Sequence, residues 1–168
     1  FKVGDIVNGR FGWRTHVISD GVGVRKVNKD IAPISTSIGI LGMPGMTAYV
    51  GLLDIGEPKE GETVVESAAS GAVGAIVGQI AKIKGCRVVG IAGSKEKCEY
   101  VKHELGFDEC ISHYSDDLST QLADICSDGI DIYFENVGGK VFEAVLPLLN
   151  SFARVPLCGL ISRYSHVG

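Results

Sequence analysis

The sequence lacks the features that would assign it to a membrane, a secretory route or a nucleic acid. No uninterrupted apolar run approaches the roughly 20 residues that a membrane-spanning helix needs. No basic segment followed by an apolar stretch stands at the start of the chain, so no signal peptide is visible. With 16 basic and 20 acidic residues, the chain has no basic excess to neutralise phosphates. We therefore expect neither a membrane nor a nucleic acid as a partner.

Cysteine and histidine are present, but neither shows the spacing of a metal site or a disulfide framework. The dispersed cysteines, which include no CxxC pair, are Cys86, Cys98, Cys110, Cys126 and Cys158. The histidines, also without ligand spacing, are His16, His103, His113 and His166. This pattern predicts reduced thiols in a cytoplasmic protein and no bound metal.

From residue 63 onward, short apolar runs alternate with amphipathic segments. The runs contain β-branched or aromatic residues and precede turn signals, and the predicted strands are residues 63–67, 87–92, 109–112, 130–135 and 154–158. Apolar residues recur at helical spacing between them, and the predicted helices are residues 72–84, 95–105, 117–126 and 140–149. Because strands and helices alternate, we predict an α/β fold: a doubly wound parallel sheet of the Rossmann type with helices on both faces.

The first third of the chain has a different character. Residues 1–35 are rich in glycine, with short strand-like pieces at residues 5–7 and 15–18, and are predicted to be the tail of another, mainly β, domain. Residues 36–62 read as an apolar helical connector that is broken near Met43. Residues 63–168 form the predicted nucleotide-binding domain, which we expect to be truncated, without the sixth strand of its sheet.

A glycine turn joins the first strand of this pattern to the first helix. Gly71 and Gly74 form a G-x-x-G pair, and Ala69 replaces the first glycine of the usual G-x-G-x-x-G fingerprint. A structural turn without a ligand remains the alternative for so short a motif. Its position between a strand and a helix favours a phosphate site, because helix N-termini offer free N–H groups to anions. Residues Gly71, Ala72, Val73 and Gly74 are therefore candidates for binding the pyrophosphate of a dinucleotide.

The end of the second strand indicates which dinucleotide binds. Sites for NAD usually place an acid there to hold the ribose 2′-hydroxyl. Here the first carboxylate is Glu96, after a short run of small residues, and Lys97 follows it. A lysine attracts a 2′-phosphate that an acid would repel, so we predict NADP(H) as the cofactor. The alternative is that Lys95 and Lys97 are solvated surface charges.

Three segments together resemble a known family. They are residues 41–49 (LGMPGMTAY), residues 68–84 with their GQIAK run, and residues 133–139 (YFENVGG). The chain is similar to the zinc-independent medium-chain dehydrogenase/reductases, in the group of leukotriene hydroxydehydrogenases, prostaglandin reductases and bacterial NADPH-dependent curcumin reductases. The resemblance implies a GroES-like catalytic domain beside a Rossmann domain, and NADPH-dependent reduction of the C=C bond of α,β-unsaturated ketones.

The resemblance also implies further cofactor contacts outside the glycine turn. These candidates are Thr47, Lys97, Tyr114, Asn136, Cys158, Gly159 and Tyr164. Lys97 and Tyr114 would hold the adenosine 2′-phosphate end, and the others would line the nicotinamide side. Plainer interpretations stay open for three of them: Tyr114 as a surface aromatic, Asn136 as a turn former and Cys158 as a core residue.

Zinc-dependent members of the wider family place a metal-binding cysteine where this chain has Met43, which implies that no catalytic zinc is bound. The expected partners are a small enone or quinone substrate and, for the full-length protein, a second copy in a homodimer. No catalytic residue is assigned, because most of the substrate pocket is expected outside this chain. The segment alone is expected to bind NADPH weakly and to turn over little enone. A non-catalytic dinucleotide-binding module and a zinc-dependent alcohol dehydrogenase remain the alternatives.

Overall fold

The structure, a computed structural model, describes residues 1–164. A parallel sheet of five strands forms its centre: β3 (Thr63–Ser67), β4 (Arg87–Ala92), β5 (Glu109–Ser112), β6 (Ile130–Phe134) and β7 (Leu149–Arg154). Four helices alternate with these strands: α2 (Gly74–Ile83), α3 (Lys95–His103), α4 (Leu118–Ile125) and α5 (Gly139–Val145). The strand order is β5-β4-β3-β6-β7, which confirms the predicted α/β, doubly wound arrangement.

Alternate residues of each strand enter two separate cores. On one face, Val64, Val88 and Ile132 pack with α2 and with Val101 of α3. On the other face, the neighbouring residues of the same strands pack with α4 and α5. Both faces are covered because parallel strands need crossover helices, and successive side chains of a strand point to opposite sides.

The carboxyl ends of β3, β4, β5 and β6 lie along one edge of the sheet. Ser67 pairs in register with Ile91, and Glu66 pairs with Phe134. Ala92 pairs with Ser112 in the same parallel manner. In open α/β sheets, ligands bind outside this edge, where the chain leaves the strands.

The last strand and the last helix differ from the predictions. The prediction of a strand at residues 154–158 is wrong, because β7 runs from Leu149 to Arg154 and only an isolated bridge joins Leu157 to Glu135. The predicted helix at residues 140–149 ends early: α5 stops at Val145, and a 3₁₀ turn holds Pro147. Proline cannot donate the backbone hydrogen bond that an α-helix interior requires.

The first 62 residues are built differently from the sheet. Two short antiparallel strands, β1 (Val7–Asn8) and β2 (Arg25–Lys26), pair with each other, and the prediction of a strand at residues 15–18 is wrong. Helix α1 (Met43–Val50) begins where a break was expected, because Pro44 stands in the first turn, where its missing N–H costs nothing. A π-helical segment, Gly51–Gly56, continues it toward β3.

The structure also bears on the cysteines and on membrane insertion. All five cysteines are free thiols; Cys86, Cys98 and Cys126 are buried, and Cys158 is exposed.

Among residues 1–164, no helix combines the length and the apolar character needed to cross a membrane. The last four residues of the expected nucleotide-binding domain, and with them His166, lie outside the described part of the chain.

Candidate functional site

The glycine turn lies at the carboxyl edge of the sheet, between β3 and α2. Ala68 leaves the strand with a φ of 57°, and its carbonyl accepts a hydrogen bond of 2.7 Å from the Gly71 N–H. The Ala69 N–H donates to the carbonyl of Ile91 at 3.0 Å, which ties the turn to the neighbouring strand β4. The turn is therefore fixed by the backbone on both sides before α2 begins at Gly74.

The start of α2 has no room for a side chain at its first residue. A Cβ built on Gly74 would lie 2.5 Å from the Ala68 carbonyl oxygen and 2.6 Å from Oε1 of Glu66. A Cβ on Gly71 would lie 3.0 Å from the same carbonyl oxygen. Glycine at these two positions lets the helix approach β3 closely and leaves the outer side of the turn as bare backbone.

Three consecutive N–H groups of this turn are free to bind an anion. Within the described part of the chain, the N–H groups of Ala72, Val73 and Gly74 donate no hydrogen bond. The positive end of the α2 dipole adds to their attraction for negative charge. A bare turn with three free donors has the chemistry to bind a dinucleotide pyrophosphate, and the assignment of residues 71–74 to this ligand stays a prediction.

The structure brings together Lys97 and Tyr114, the two candidates at the end of β4. A Cβ built on Gly93 would lie 3.7 Å from Tyr114 Cε2 and 3.8 Å from Lys97 Cδ, so both side chains flank this glycine. Both residues are exposed. The hydroxyl of Ser94 accepts a hydrogen bond of 3.3 Å from the Lys97 N–H and caps α3. An exposed lysine and tyrosine beside a small residue could accommodate a phosphate.

Asn136 joins the ends of β6 and β3. Its Nδ2 donates to Oε1 of Glu66 at 2.7 Å and to the Ser67 carbonyl at 2.9 Å, and its backbone N–H donates to Ser67 Oγ at 2.7 Å. Both amide hydrogens are thus used inside the protein, which leaves Oδ1 for a ligand. The predicted contact of Asn136 with a nicotinamide therefore involves at most its oxygen, and the side chain positions two strand ends.

Sequence reasoning missed a buried polar cluster around Glu135. Its Oε2 accepts from the Tyr133 hydroxyl at 2.7 Å, and its Oε1 accepts from Ser67 Oγ at 2.9 Å. Oε1 also accepts from the backbone N–H groups of Val137 and Gly138. The sequence pattern that could have indicated this cluster is a glutamate near the end of an otherwise apolar strand, which occurs at Glu135 and again at Glu66.

Burial changes the protonation of the polar groups in this region. Burial, with the Glu135 carboxylate nearby, raises the pKa of Glu66 well above its usual range, although the hydrogen bond from Asn136 acts in the opposite direction. Burial also raises the pKa of the Tyr133 hydroxyl, so this group keeps its proton and can donate it to Glu135. Although Cys158 is exposed as a residue, partial burial of its thiol and the nearby Glu66 carboxylate raise the pKa of that thiol.

The structure brings two of the remaining candidates, Thr47 and Cys158, to one cavity. Thr47, Cys158 and Phe134 line one cavity of about 220 Å³. The backbone N–H groups of Cys158 and Gly159 both donate to the Glu135 carbonyl, at 2.9 and 3.1 Å. The Tyr164 hydroxyl accepts from the Leu160 N–H at 3.1 Å, which folds this segment back on itself.

Metal-binding geometry is absent from residues 1–164, where no group of three or more His, Cys, Asp or Glu side chains converges. Met43 instead contacts its own helix, because the Thr47 hydroxyl donates to its sulfur at 3.3 Å. The expectation that the protein binds no zinc stays a prediction.

The chain is similar to several known reductases. A family model described as zinc-binding dehydrogenase matches residues 72–167. The NADPH-dependent curcumin reductase of Escherichia coli (strain K12) is 59% identical, over 98% of this chain and 48% of that protein. Prostaglandin reductase 1 of Mus musculus is 49% identical, over 100% of this chain and 52% of that protein.

Solved structures agree with these relatives. The crystal structure of CurA in complex with NADPH from Vibrio vulnificus superimposes with a TM-score of 0.95 at 58% identity, and the match covers 100% of this chain and 50% of that chain. The chain thus spans about half the length of the relatives that it matches. The chain belongs to the zinc-binding dehydrogenase family, among the medium-chain dehydrogenase/reductases that include the curcumin and prostaglandin reductases.

Proposed function

We propose that this chain is the nucleotide-binding part of an NADPH-dependent oxidoreductase that reduces the C=C bond of α,β-unsaturated ketones. The observation that carries the proposal is the row of three free N–H groups at the start of α2, where a dinucleotide pyrophosphate fits. Relatives named NADPH-dependent curcumin reductase, 2-alkenal reductase (NADP(+)-dependent) and (+)-pulegone reductase support the cofactor and the substrate class.

Each group of the site has a distinct part in binding. The free backbone N–H groups of residues 72–74 bind the pyrophosphate, and Gly71 and Gly74 let it approach the main chain. Lys97 pairs with the 2′-phosphate while Tyr114 covers the same end, which selects NADPH over NADH. Because the hydrogen bonds of Asn136 hold the ends of β3 and β6 together, the edge of the sheet stays fixed while the dinucleotide binds.

The nicotinamide side would be formed by Thr47, Cys158, Gly159 and Tyr164 with Oδ1 of Asn136. When bound, NADPH supplies the hydride that the β-carbon of the enone accepts. The cavity that Thr47 and Cys158 share is lined mainly by apolar side chains, which keep water from the reacting end of the cofactor. The group that stabilises the enolate oxygen and the group that protonates the α-carbon are assigned to the rest of the protein.

The same proposal extends to the remaining domains, the oligomeric state and the cellular compartment of the protein. We place residues 1–35 in a GroES-like catalytic domain and residues 36–62 in a connector, since β1 and β2 pair outside the main sheet. A homodimer would cover β7, which is an edge strand of the sheet and carries the almost fully exposed Phe152. Five free thiols favour a reducing compartment such as the cytoplasm.

Nucleotide titration and turnover test the proposal on the full-length protein. We expect tighter binding of NADPH than of NADH, and loss of NADPH absorbance with enones but not with the matching saturated ketones. Residues 1–168 alone should bind NADPH weakly and turn over little enone. Binding of NADPH without any enone reduction by the full-length protein would indicate a non-catalytic module. Stoichiometric zinc in the purified full-length protein would instead indicate an alcohol dehydrogenase and overturn our interpretation of Met43.

A further inference from the structure

Glu66 is a fully buried acid directly beneath the start of α2. Its side chain lies on the same face of the sheet as Val64 and Phe134, which is the face that α2 covers. Its Oε1 accepts a hydrogen bond from Asn136 Nδ2 at 2.7 Å and would lie 2.6 Å from a Cβ on Gly74. Its Oε2 is buried and has no hydrogen-bond partner among the described residues. One oxygen of this carboxyl group is therefore left without a donor.

Glu135, at the same edge of the sheet, is a buried carboxylate whose two oxygens both accept hydrogen bonds. Four donors reach its two oxygens, two from side-chain hydroxyls and two from backbone N–H groups. Glu66 receives one donor, from Asn136. Because a buried carboxylate needs several donors to replace water, only Glu135 has the surroundings that an ionised group requires.

Within residues 1–164, no cation faces Glu66 from the elements packed against it. Helix α1 contains no charged residue, and the only one in α2 is Lys82, which pairs with Asp108 at 2.7 Å. Among the described residues, the titratable groups whose pKa affects that of Glu66, or is affected by Glu66, are Glu135, Tyr133 and Cys158. Each of these three is negative when ionised. Burial and the Glu135 carboxylate thus raise the pKa of Glu66, and both favour its neutral form.

The position of Glu66 places it in competition with a bound diphosphate. The free N–H groups and the helix dipole at the start of α2 attract negative charge from either side of the turn. A diphosphate would approach from outside, and an ionised Glu66 would present its charge from inside, against Gly74. An ionised Glu66 would therefore neutralise the helix end and repel the diphosphate, whereas a neutral Glu66 leaves the helix end free.

We propose that Glu66 controls the affinity of the glycine turn for a dinucleotide diphosphate, so that NADPH binds tightly while Glu66 is neutral and weakly once Glu66 is ionised. This inference rests on the proposed function, since it requires that residues 71–74 bind the diphosphate. In this proposal Glu66 does not contact the cofactor. Its charge changes the electrostatic potential at the start of α2 and thereby the affinity for the diphosphate.

Calorimetric titration with NADPH between about pH 6 and pH 9 tests the proposal on wild type and Glu66→Gln. Glutamine keeps the shape and the acceptor for Asn136 but cannot ionise. We expect wild-type affinity to fall about tenfold or more relative to Glu66→Gln as the pH rises, because a full charge is added near the diphosphate. The 2′-phosphate also titrates in this range, but it contributes equally to both proteins. Glu104→Gln, which removes an exposed carboxylate, should follow wild type.

A second measurement needs only the wild-type protein. Titration with NADH, which has no 2′-phosphate, in two buffers of different ionisation enthalpy counts the protons that binding takes up. We expect net proton uptake at the pH where wild-type affinity falls, since the complex favours neutral Glu66. Parallel pH profiles for wild type and Glu66→Gln, or no proton uptake across the range, would overturn the inference while leaving the proposed function intact. Failure of every variant to bind NADPH at any pH would overturn both.

Discussion

The side-chain amide of Asn136 donates a hydrogen bond of 2.7 Å to the carboxyl group of Glu66, across the ends of the adjacent strands β6 and β3. The same amide reaches the Ser67 carbonyl at 2.9 Å. On the opposite face of the sheet, Ser67 Oγ donates to Glu135 at 2.9 Å. These connected hydrogen bonds fix this edge of the sheet, and the bond from Asn136 to Glu66 lies directly beneath the glycine turn.

Gly74→Ala should weaken cofactor binding and destabilise the fold. The added Cβ would meet the Ala68 carbonyl oxygen at 2.5 Å and Glu66 Oε1 at 2.6 Å, so the turn must move. We expect a loss of about 1–3 kcal/mol in the free energy of unfolding, and NADPH affinity lowered by about tenfold or more. Urea denaturation and calorimetric titration measure the two effects.

Gly56→Ala is the matched control for that substitution. Gly56 is also buried, but its backbone is helical and a Cβ there would have no neighbour closer than 3.4 Å. The Gly56→Ala protein should be about as stable as wild type or more stable, because alanine has a higher helix propensity than glycine. Equal NADPH affinity in Gly74→Ala and wild type would contradict the assignment of the pyrophosphate site.

Lys97→Ala should reduce the preference for NADPH over NADH. Its side chain would lose the pairing with the 2′-phosphate, while its backbone N–H keeps the hydrogen bond to the Ser94 cap. A charge-assisted hydrogen bond contributes about 1.5–3 kcal/mol, so we expect the preference to fall roughly 10- to 100-fold with NADH binding unchanged. Lys84→Ala, at an exposed lysine just beyond α2, should leave the preference as it is. If Lys97→Ala also leaves the preference for NADPH unchanged, Lys97 is a solvated surface charge and does not bind the 2′-phosphate.

Tyr133→Phe should destabilise the protein without changing its shape. The hydroxyl is fully buried and donates to Glu135 Oε2 at 2.7 Å, the one side-chain donor to that oxygen among the described residues. Its removal leaves a buried carboxylate oxygen unpaired, which costs about 1–3 kcal/mol of unfolding free energy in urea denaturation. Tyr100→Phe, at a half-exposed tyrosine on α3, serves as the control and should change stability little. Equal effects of the two substitutions would argue against the Tyr133–Glu135 bond.

Glu66 should make the stability of the wild-type protein decrease with rising pH. The group has a higher pKa in the folded protein than its ordinary value of 4.5, so above that pH the folded state binds a proton that the unfolded state has lost. The unfolding free energy should then fall by about 1.4 kcal/mol per pH unit until the folded pKa is passed, relative to Glu66→Gln. Urea denaturation of both proteins from about pH 5 to pH 8 measures this difference. A difference that does not change with pH would show that Glu66 is ionised in the folded protein.

The strands and helices of the central sheet were largely predictable because they depend on local periodicity. Helix α3, for example, begins after Ser94 as predicted, with the serine hydroxyl as its cap. The last strand was misplaced because residues 149–154 lack an apolar alternation, while residues 154–158 have one. Contacts distant in sequence decide this position: the Arg154 side chain donates to the Gly56 carbonyl at 2.8 Å and pairs with Glu62.

By itself, the sequence determined the α/β alternation, the place of the glycine turn and the missing acid after β4, since each is a property of neighbouring residues. It also predicted that Asn136 lies at the end of a strand, near a cofactor, but only the tertiary structure decided what Asn136 contacts. Asn136 and Glu66 are 70 residues apart in the chain and meet because β3 and β6 are adjacent and parallel. Contacts of this kind depend on strand order and register, which local sequence patterns do not encode. The same strand order and register bury Glu66 beneath α2.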